Sequence, residues 1–178
     1  EELGYTMEYK ILYAPDYGVP QIRKRVFFVG SKIGKFEFPK PTHHEEEYVS
    51  CEAAIGDLPD LKDNIGLEES EYKKKPNTKY QEIMRQGSKK LFNHVGTIHQ
   101  KHVIEVIRQV PEGGNHKDLP KGVGESRKFN EAWTRYHSKK PSKTIDTGHG
   151  NHFHYKYDRV PTVRENARLQ SFPDKFKF

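Results

Sequence analysis

Two segments near the start of the chain restrict its fold more than anything that follows. In Glu8 to Tyr13, Tyr9, Ile11 and Tyr13 alternate with polar neighbours, and Ile22 to Gly30 carries β-branched and aromatic residues after a polar start. Both read as strands. Between them, Ala14-Pro15-Asp16-Tyr17-Gly18-Val19-Pro20 is turn chemistry. The rest has less to fold with. Of 178 residues 33% are hydrophobic and 31% charged, with a mean hydropathy of −0.99. That leaves little side-chain surface to offset the entropy of ordering the chain, so the expected core is thin. The length suits one domain, or one domain plus part of another.

No stretch reaches the roughly 18 apolar residues of a membrane helix, and the start carries no signal-peptide pattern. We expect a soluble, cytoplasmic protein with no membrane partner. Its single cysteine, Cys51, excludes an internal disulfide framework and a thiolate-only zinc site. Lys and Arg number 31 against 25 acids, a net charge of +6. That balance permits a polyanionic partner without showing one. Neither end reads as a natural terminus, so the chain is expected to be a fragment.

Lys35 to Glu47, with its prolines, histidines and acidic run, reads as a linker and a domain border. A short helix is expected from Cys51 to Ile55, stopped at Gly56, and another from Tyr80 to Gln86. Asp60 to Pro76 is highly charged and takes no assignment. Ile98 to Val110 is the clearest amphipathic segment. Val103, Ile104, Ile107 and Val110 form its apolar stripe, and Pro111-Glu112-Gly113-Gly114-Asn115 ends it. Lys117 to Lys128 reads as an exposed loop, followed by alternation through Trp133 and Tyr136 and a strand from Lys143 to Thr147. Thr162-Val163-Arg164-Glu165 has the form of a capping box opening a last helix that runs to Pro173.

If the second strand is extended from Gln21, then Gln21, Arg23 and Arg25 share one face, because strand side chains alternate. Two guanidinium forks and an amide pointing one way suit phosphate or a polar base edge; a solvated strand face is the plainer reading. Six of the ten histidines cluster at His94, His99 and His102 and at His149, His152 and His154. With one cysteine and no His-Glu-x-x-His spacing, no metal site is expected. Gly122-Val123-Gly124 and Gly148-His149-Gly150 lack the strand and helix of a cofactor loop. Cys51 has no base in view and reads as a small packed side chain.

Taken together, Ala14 to Gly30, with Gln21-Ile22-Arg23-Lys24-Arg25 at its centre, and Thr162 to Asp174, with Arg164-Glu165-Asn166-Ala167-Arg168-Leu169-Gln170, resemble the eighth and ninth motifs of the DNA cytosine-5 methyltransferases. Ala54-Ile55-Gly56-Asp57-Leu58-Pro59, Pro111 to Asn115 and Pro141-Ser142-Lys143-Thr144-Ile145 match between them, in the family's order. The family's Phe-x-Gly-x-Gly cofactor loop, its Pro-Cys nucleophile and its Glu-Asn-Val acid do not occur; Glu165-Asn166-Ala167 belongs to the ninth motif.

The resemblance implies a mixed α+β fragment: the end of a Rossmann-like methyltransferase sheet in residues 1–30, a small irregular target recognition domain in 31–142, and a return segment with the ninth-motif helix in 143–178. It implies double-stranded DNA as partner, and S-adenosylmethionine bound by the catalytic half that lies outside this chain. Arg25 would lie near the flipped cytosine, with Arg23 and Gln21 bracing the site or touching phosphate. Arg164 and Glu165 would hold domains together. For base reading, Arg135 and the loop residues His149, Asn151 and His152 are the candidates, since Arg suits guanine and Asn suits adenine in the major groove. We expect a monomer, inactive alone, with a cognate restriction endonuclease as a possible partner of the parent. A free-standing DNA-binding module without catalysis, or a non-methylating scaffold, are the alternative readings.

Overall fold

In the computed structural model, residues 3–61, 64–124, 131–146 and 150–178 are described. β1 (Thr6–Tyr13) and β2 (Lys24–Ser31) pair antiparallel, with Tyr9 opposite Phe28 and Leu12 opposite Arg25. A single 3-10 turn, Ala14–Tyr17, follows β1 with Pro15 at its second position, and Gly18 closes it at φ 77°, where a side chain would be strained. The next segment docks on this turn. Thr42 and His43 donate backbone N–H groups to the Asp16 carbonyl at 2.8 and 3.1 Å, and the Tyr48 hydroxyl donates to the Asp16 carboxylate. That bond to a carboxylate pushes the Tyr48 phenol up to about 12. The expected linker is therefore laid along the ribbon's turn, with only a 3-10 turn at Glu45–Glu47.

The remainder folds into a body of short elements. α1 (Cys51–Ile55) starts where the Ser50 hydroxyl accepts from Ala53 N–H, and α2 (Lys79–Arg85) where Thr78 does the same for Gln81. β3 (Glu69–Ser70) pairs antiparallel with β4 (Leu91–Phe92). α3 (Lys101–Gln109) is the amphipathic helix; it buries Ile107 and half-buries Val103 and Ile104. β5 (Thr134–Arg135) and β6 (His152–Phe153) pair in parallel. α4 (Val163–Leu169) opens with the capping box: Thr162 Oγ1 accepts from Glu165 N–H, and Glu165 accepts from Thr162 N–H at 2.7 Å.

Two small cores hold these pieces. One gathers Cys51, Ala54, Ile55, Leu58, Leu91, Tyr136 and Leu169; the other is Ile107, Val110 and Phe153. The first draws on residues from both sides of the expected 142/143 border, so the return segment is built into the body. The expected strand from Lys143 is not formed over residues 143–146. Instead Ser142 makes one parallel bridge to Gln21, and Ile22 N–H donates to the Ser142 carbonyl at 2.8 Å. Thr147 lies outside the described residues, as does part of the 117–128 loop.

The ribbon contributes little to either core. On one of its faces Tyr9 is 73% exposed, Phe28 67% and Ile11 66%. A two-stranded ribbon is marginal by itself in water, and apolar patches of this kind mark an interface.

Candidate nucleic-acid interface

Arg25 extends from β2 into solvent, and its Nη1 donates to the neighbouring Lys24 carbonyl at 2.7 Å. Arg23 is half-buried just before the strand, where its carbonyl accepts from Ala14 N–H at 2.9 Å. Neither guanidinium has an ion-pair partner among the described residues. Gln21 departs from the expected common face. The chain turns inward at Pro20 to join Ser142, whose N–H and hydroxyl both donate to the Pro20 carbonyl, and Gln21 is 1% exposed. Its Nε2 has no hydrogen-bond partner among the described residues. A groove of about 440 Å³ opens beside this junction, lined by Ile22, Glu112, His137, Lys140 and Lys143 among others.

Arg135 is 6% exposed, and its donors are committed inward. Nε donates to the Val110 carbonyl at 2.8 Å and Nη2 to the Ile107 carbonyl and Asp158 at 2.5 and 2.9 Å; Nη1 reaches the His154 and Tyr157 carbonyls at 3.2 and 3.4 Å. That covers all five N–H groups of a guanidinium. Of the carbonyls it takes, that of Ile107 lies in the last turn of α3 and that of Val110 just past its end. As placed, Arg135 braces the end of α3 and turns no donor toward a base edge. His152 is also inside, stacked on Tyr136 at 5.3 Å between ring centres. Asn151 stays partly open, its amide donating to Asp146 at 3.2 Å. His149 lies outside the described residues.

Arg164 and Glu165 are fully interior. Arg164 donates to the carbonyls of Phe92, Pro173 and Phe176, tying α4 to β4 and to the chain's last turn. Glu165 receives both prongs of Arg159 at 2.7 Å and faces His154 Nε2 at 3.5 Å. Burial works against its charge, but the His154 ring and the Arg159 guanidinium hold its carboxyl well below the usual carboxylate range. Burial also pushes His154 down to about 4, so near neutrality its ring is uncharged and Arg159 is the cation that keeps Glu165 ionised.

Sequence reasoning missed a second buried network. Arg168 pairs with Asp174 and with Asp57, and Asp57 also takes Arg85. Its signal was present in the Asp57 of Ala54 to Pro59 and the Asp174 of the ninth motif, which entered there only as members of matched segments. Cys51 is fully buried, and burial pushes its thiol far above the usual range, which leaves it inert.

The described residues do not build a cradle for a nucleoside cofactor. Phe28, Val29 and Gly30 run straight through β2 into Ser31, and a side chain at Gly30 would meet Met7 and Tyr5. No step of chemistry is therefore assigned to S-adenosylmethionine within this chain. No group of three or more His, Cys, Asp or Glu converges as for a metal among the described residues.

A paired ribbon whose Arg23 and Arg25 have no ion-pair partner among the described residues is set on a mixed body held by buried ion pairs. The sequence model of the family described as C-5 cytosine-specific DNA methylase matches residues 1–178, and the chain belongs to that family. It is 37% identical over its whole length to Type II methyltransferase M1.HphI of Haemophilus parahaemolyticus, covering 42% of that protein. It is 36% identical over 99% of its length to Type II methyltransferase M.DdeI of Desulfomicrobium norvegicum, covering 46%. The chain thus spans less than half the length of these two relatives. A crystal structure of a prophage-encoded Escherichia coli chain assigned as a DNA modification methyltransferase superposes with a TM-score of 0.74 at 25% identity, over 99% of this chain and 53% of that one.

Proposed function

We propose that this chain is the carboxyl-terminal part of a type II DNA cytosine-5 methyltransferase, carrying the target recognition domain and the edge of the catalytic sheet. The observation that carries the reading is the ribbon. β1 and β2 leave Met7, Tyr9, Ile11, Val26 and Phe28 on one open apolar face, in a chain that covers less than half of its relatives. In this reading residues 1–30 complete the parent's Rossmann-like sheet, 31–142 recognise the duplex, and 143–178 return through α4. The rest of the parent covers the ribbon, binds S-adenosylmethionine and supplies the nucleophile.

The target cytosine must leave the stack before C5 and C6 can be reached. Arg25, exposed at the ribbon's foot, is placed to meet the extruded base, and a guanidinium at the cytosine carbonyl oxygen favours charge building on the ring. Arg23, its neighbour on the same strand parity, contacts phosphate. Gln21 braces the joint between ribbon and body from inside. The groove beside Ile22, with Lys140 and Lys143 on its wall, forms part of the DNA-facing side. Asn151 is retained as a base reader and His149 as its neighbour in the same loop. His152 supports Asn151 from within, and Arg135 is reassigned to bracing. The parent acts as a monomer in a prokaryotic cytoplasm, alongside a cognate restriction endonuclease.

The test is methyl transfer from labelled S-adenosylmethionine to duplex DNA, with the chain alone and with the full-length parent. The parent is expected to transfer and the chain alone to transfer nothing. Robust transfer by the chain alone would sink the assignment of the nucleophile to the missing half.

A further inference from the structure

We propose that the exposed lysines around the carboxyl end of α2 form a second contact surface for the phosphate backbone of duplex DNA, apart from the groove beside the ribbon. Three segments distant in sequence are pinned together there. The Tyr72 hydroxyl donates to Asp174 Oδ2 at 2.6 Å, and the Arg85 guanidinium lies 4.0 Å from the Tyr72 ring centre. Arg85 Nη1 donates to the Lys74 carbonyl at 2.9 Å, fixing the 72–75 strip against α2. The backbone N–H of Asp174 donates to the Met84 carbonyl at 2.7 Å, and a side-chain carbon at Gly87 would stand 3.6 Å from Lys175 Cδ. These contacts gather Lys73, Lys74, Lys75, Lys89 and Lys175, all exposed, at one edge of the body.

None of the five lysines has an acidic partner among the described residues, while the neighbouring acids are mostly engaged. Glu82 pairs with Lys79, Glu69 with Lys90, and Glu68 accepts from the Asn93 amide. Glu71 is the remaining exposed acid, and it acts on Lys90. A lysine run in one loop is an ordinary solvated face. Unpaired lysines brought together from three fixed segments concentrate positive potential instead. Lysine is a point charge without the planar fork that reads a base edge, so the surface suits phosphate and positions the duplex without selecting its sequence.

The inference rests on the methyltransferase reading and is tested in the full-length parent. Lys73, Lys74 and Lys75→Gln, Lys89 and Lys175→Gln, and the combination are compared for binding of a fluorescent duplex across a salt series. Each lost phosphate contact should make the slope of log affinity against log salt shallower by about 0.9, so the combination should change it by about 4 to 5. Target and unrelated duplexes should weaken by the same factor, methyl transfer at saturating DNA should persist, and Lys→Arg replacements should keep the slope. An unchanged slope in variants that melt like the parent overturns the proposal. A parent that binds no duplex at all fails the methyltransferase reading itself, a separate outcome.

Discussion

Arg168 grips Asp174 with two parallel bonds, Nε to Oδ1 at 2.9 Å and Nη2 to Oδ2 at 2.6 Å, and both residues are fully buried. The same guanidinium reaches Asp57 Oδ1 at 2.5 Å from its remaining side. One α4 side chain therefore joins the end of α1 to the turn after α4. Removing one partner of a buried pair leaves the other charge uncompensated, which costs about 3 to 5 kcal/mol. Asp174→Ala should lower the unfolding free energy by that amount in a denaturant titration. A loss under about 1 kcal/mol would mean that Asp57 alone suffices for Arg168.

How much of this was legible depended on where the partners lie in the chain. The Thr162–Glu165 capping box is local, and its four residues carry the whole pattern. The stripe of α3 is equally local, a matter of period. The bracing contacts of Arg135 were not legible because the carbonyls that claim it come from residues 107, 110, 154 and 157, which no local pattern brings together. Gln21 followed strand alternation only until tertiary pairing with Ser142 turned it inward. Over residues 143–146 the Lys143 strand does not form: the segment meets the ribbon's foot through the Gln21–Ser142 bridge and the Thr144 hydroxyl on the Ile22 carbonyl, while Ile145 packs against the first core.

His154 sets an acid limit on stability. Its Nδ1 accepts the backbone N–H groups of Lys156 and Tyr157 at 3.0 and 3.2 Å, so the ring proton sits on Nε2, facing Glu165. Burial holds the folded-state pKa down to about 4, below the 6.5 of a free histidine. Between these values the unfolded chain binds the proton and the folded one does not, so stability falls as pH drops from about 6.5 to 4, by roughly 3 kcal/mol from this group. Glu165, whose pKa is depressed, acts in the same direction at lower pH. His154→Gln should flatten the slope in that window, leaving the part due to His94 and His152, which burial also shifts down. An unaltered pH profile of the midpoint would refute the assignment.

Arg135→Lys separates bracing from base reading. A lysine cannot serve carbonyls on α3 and on the 154–157 turn together, so at least about 2 kcal/mol of stability should be lost. A base-reading arginine would give the opposite pattern: an unchanged melting temperature with relaxed discrimination among target sequences.

Arg25→Ala in the parent should reduce methyl transfer by about 10²-fold or more, the usual scale for losing one stabilising donor at a reacting group. Duplex affinity should change far less, because one phosphate or base contact among many is removed. Equal losses in transfer and in binding would make Arg25 a phosphate contact only.

The open face of the ribbon gives the sharpest check on where the chain belongs in its parent. Tyr9 and Phe28 stack across β1 and β2 with ring centres 5.8 Å apart, yet both stay mostly exposed. If the catalytic half covers them, burying each aromatic ring contributes about 1.5 to 3 kcal/mol in the parent. Tyr9→Ser and Phe28→Ser should therefore destabilise the parent by amounts of that order. The body is packed elsewhere, so the same changes in the chain alone should alter its unfolding by less than about 0.5 kcal/mol. The two measurements together distinguish a covered face from a free one, since a ribbon that remains in solvent within the parent would show the small effect in both.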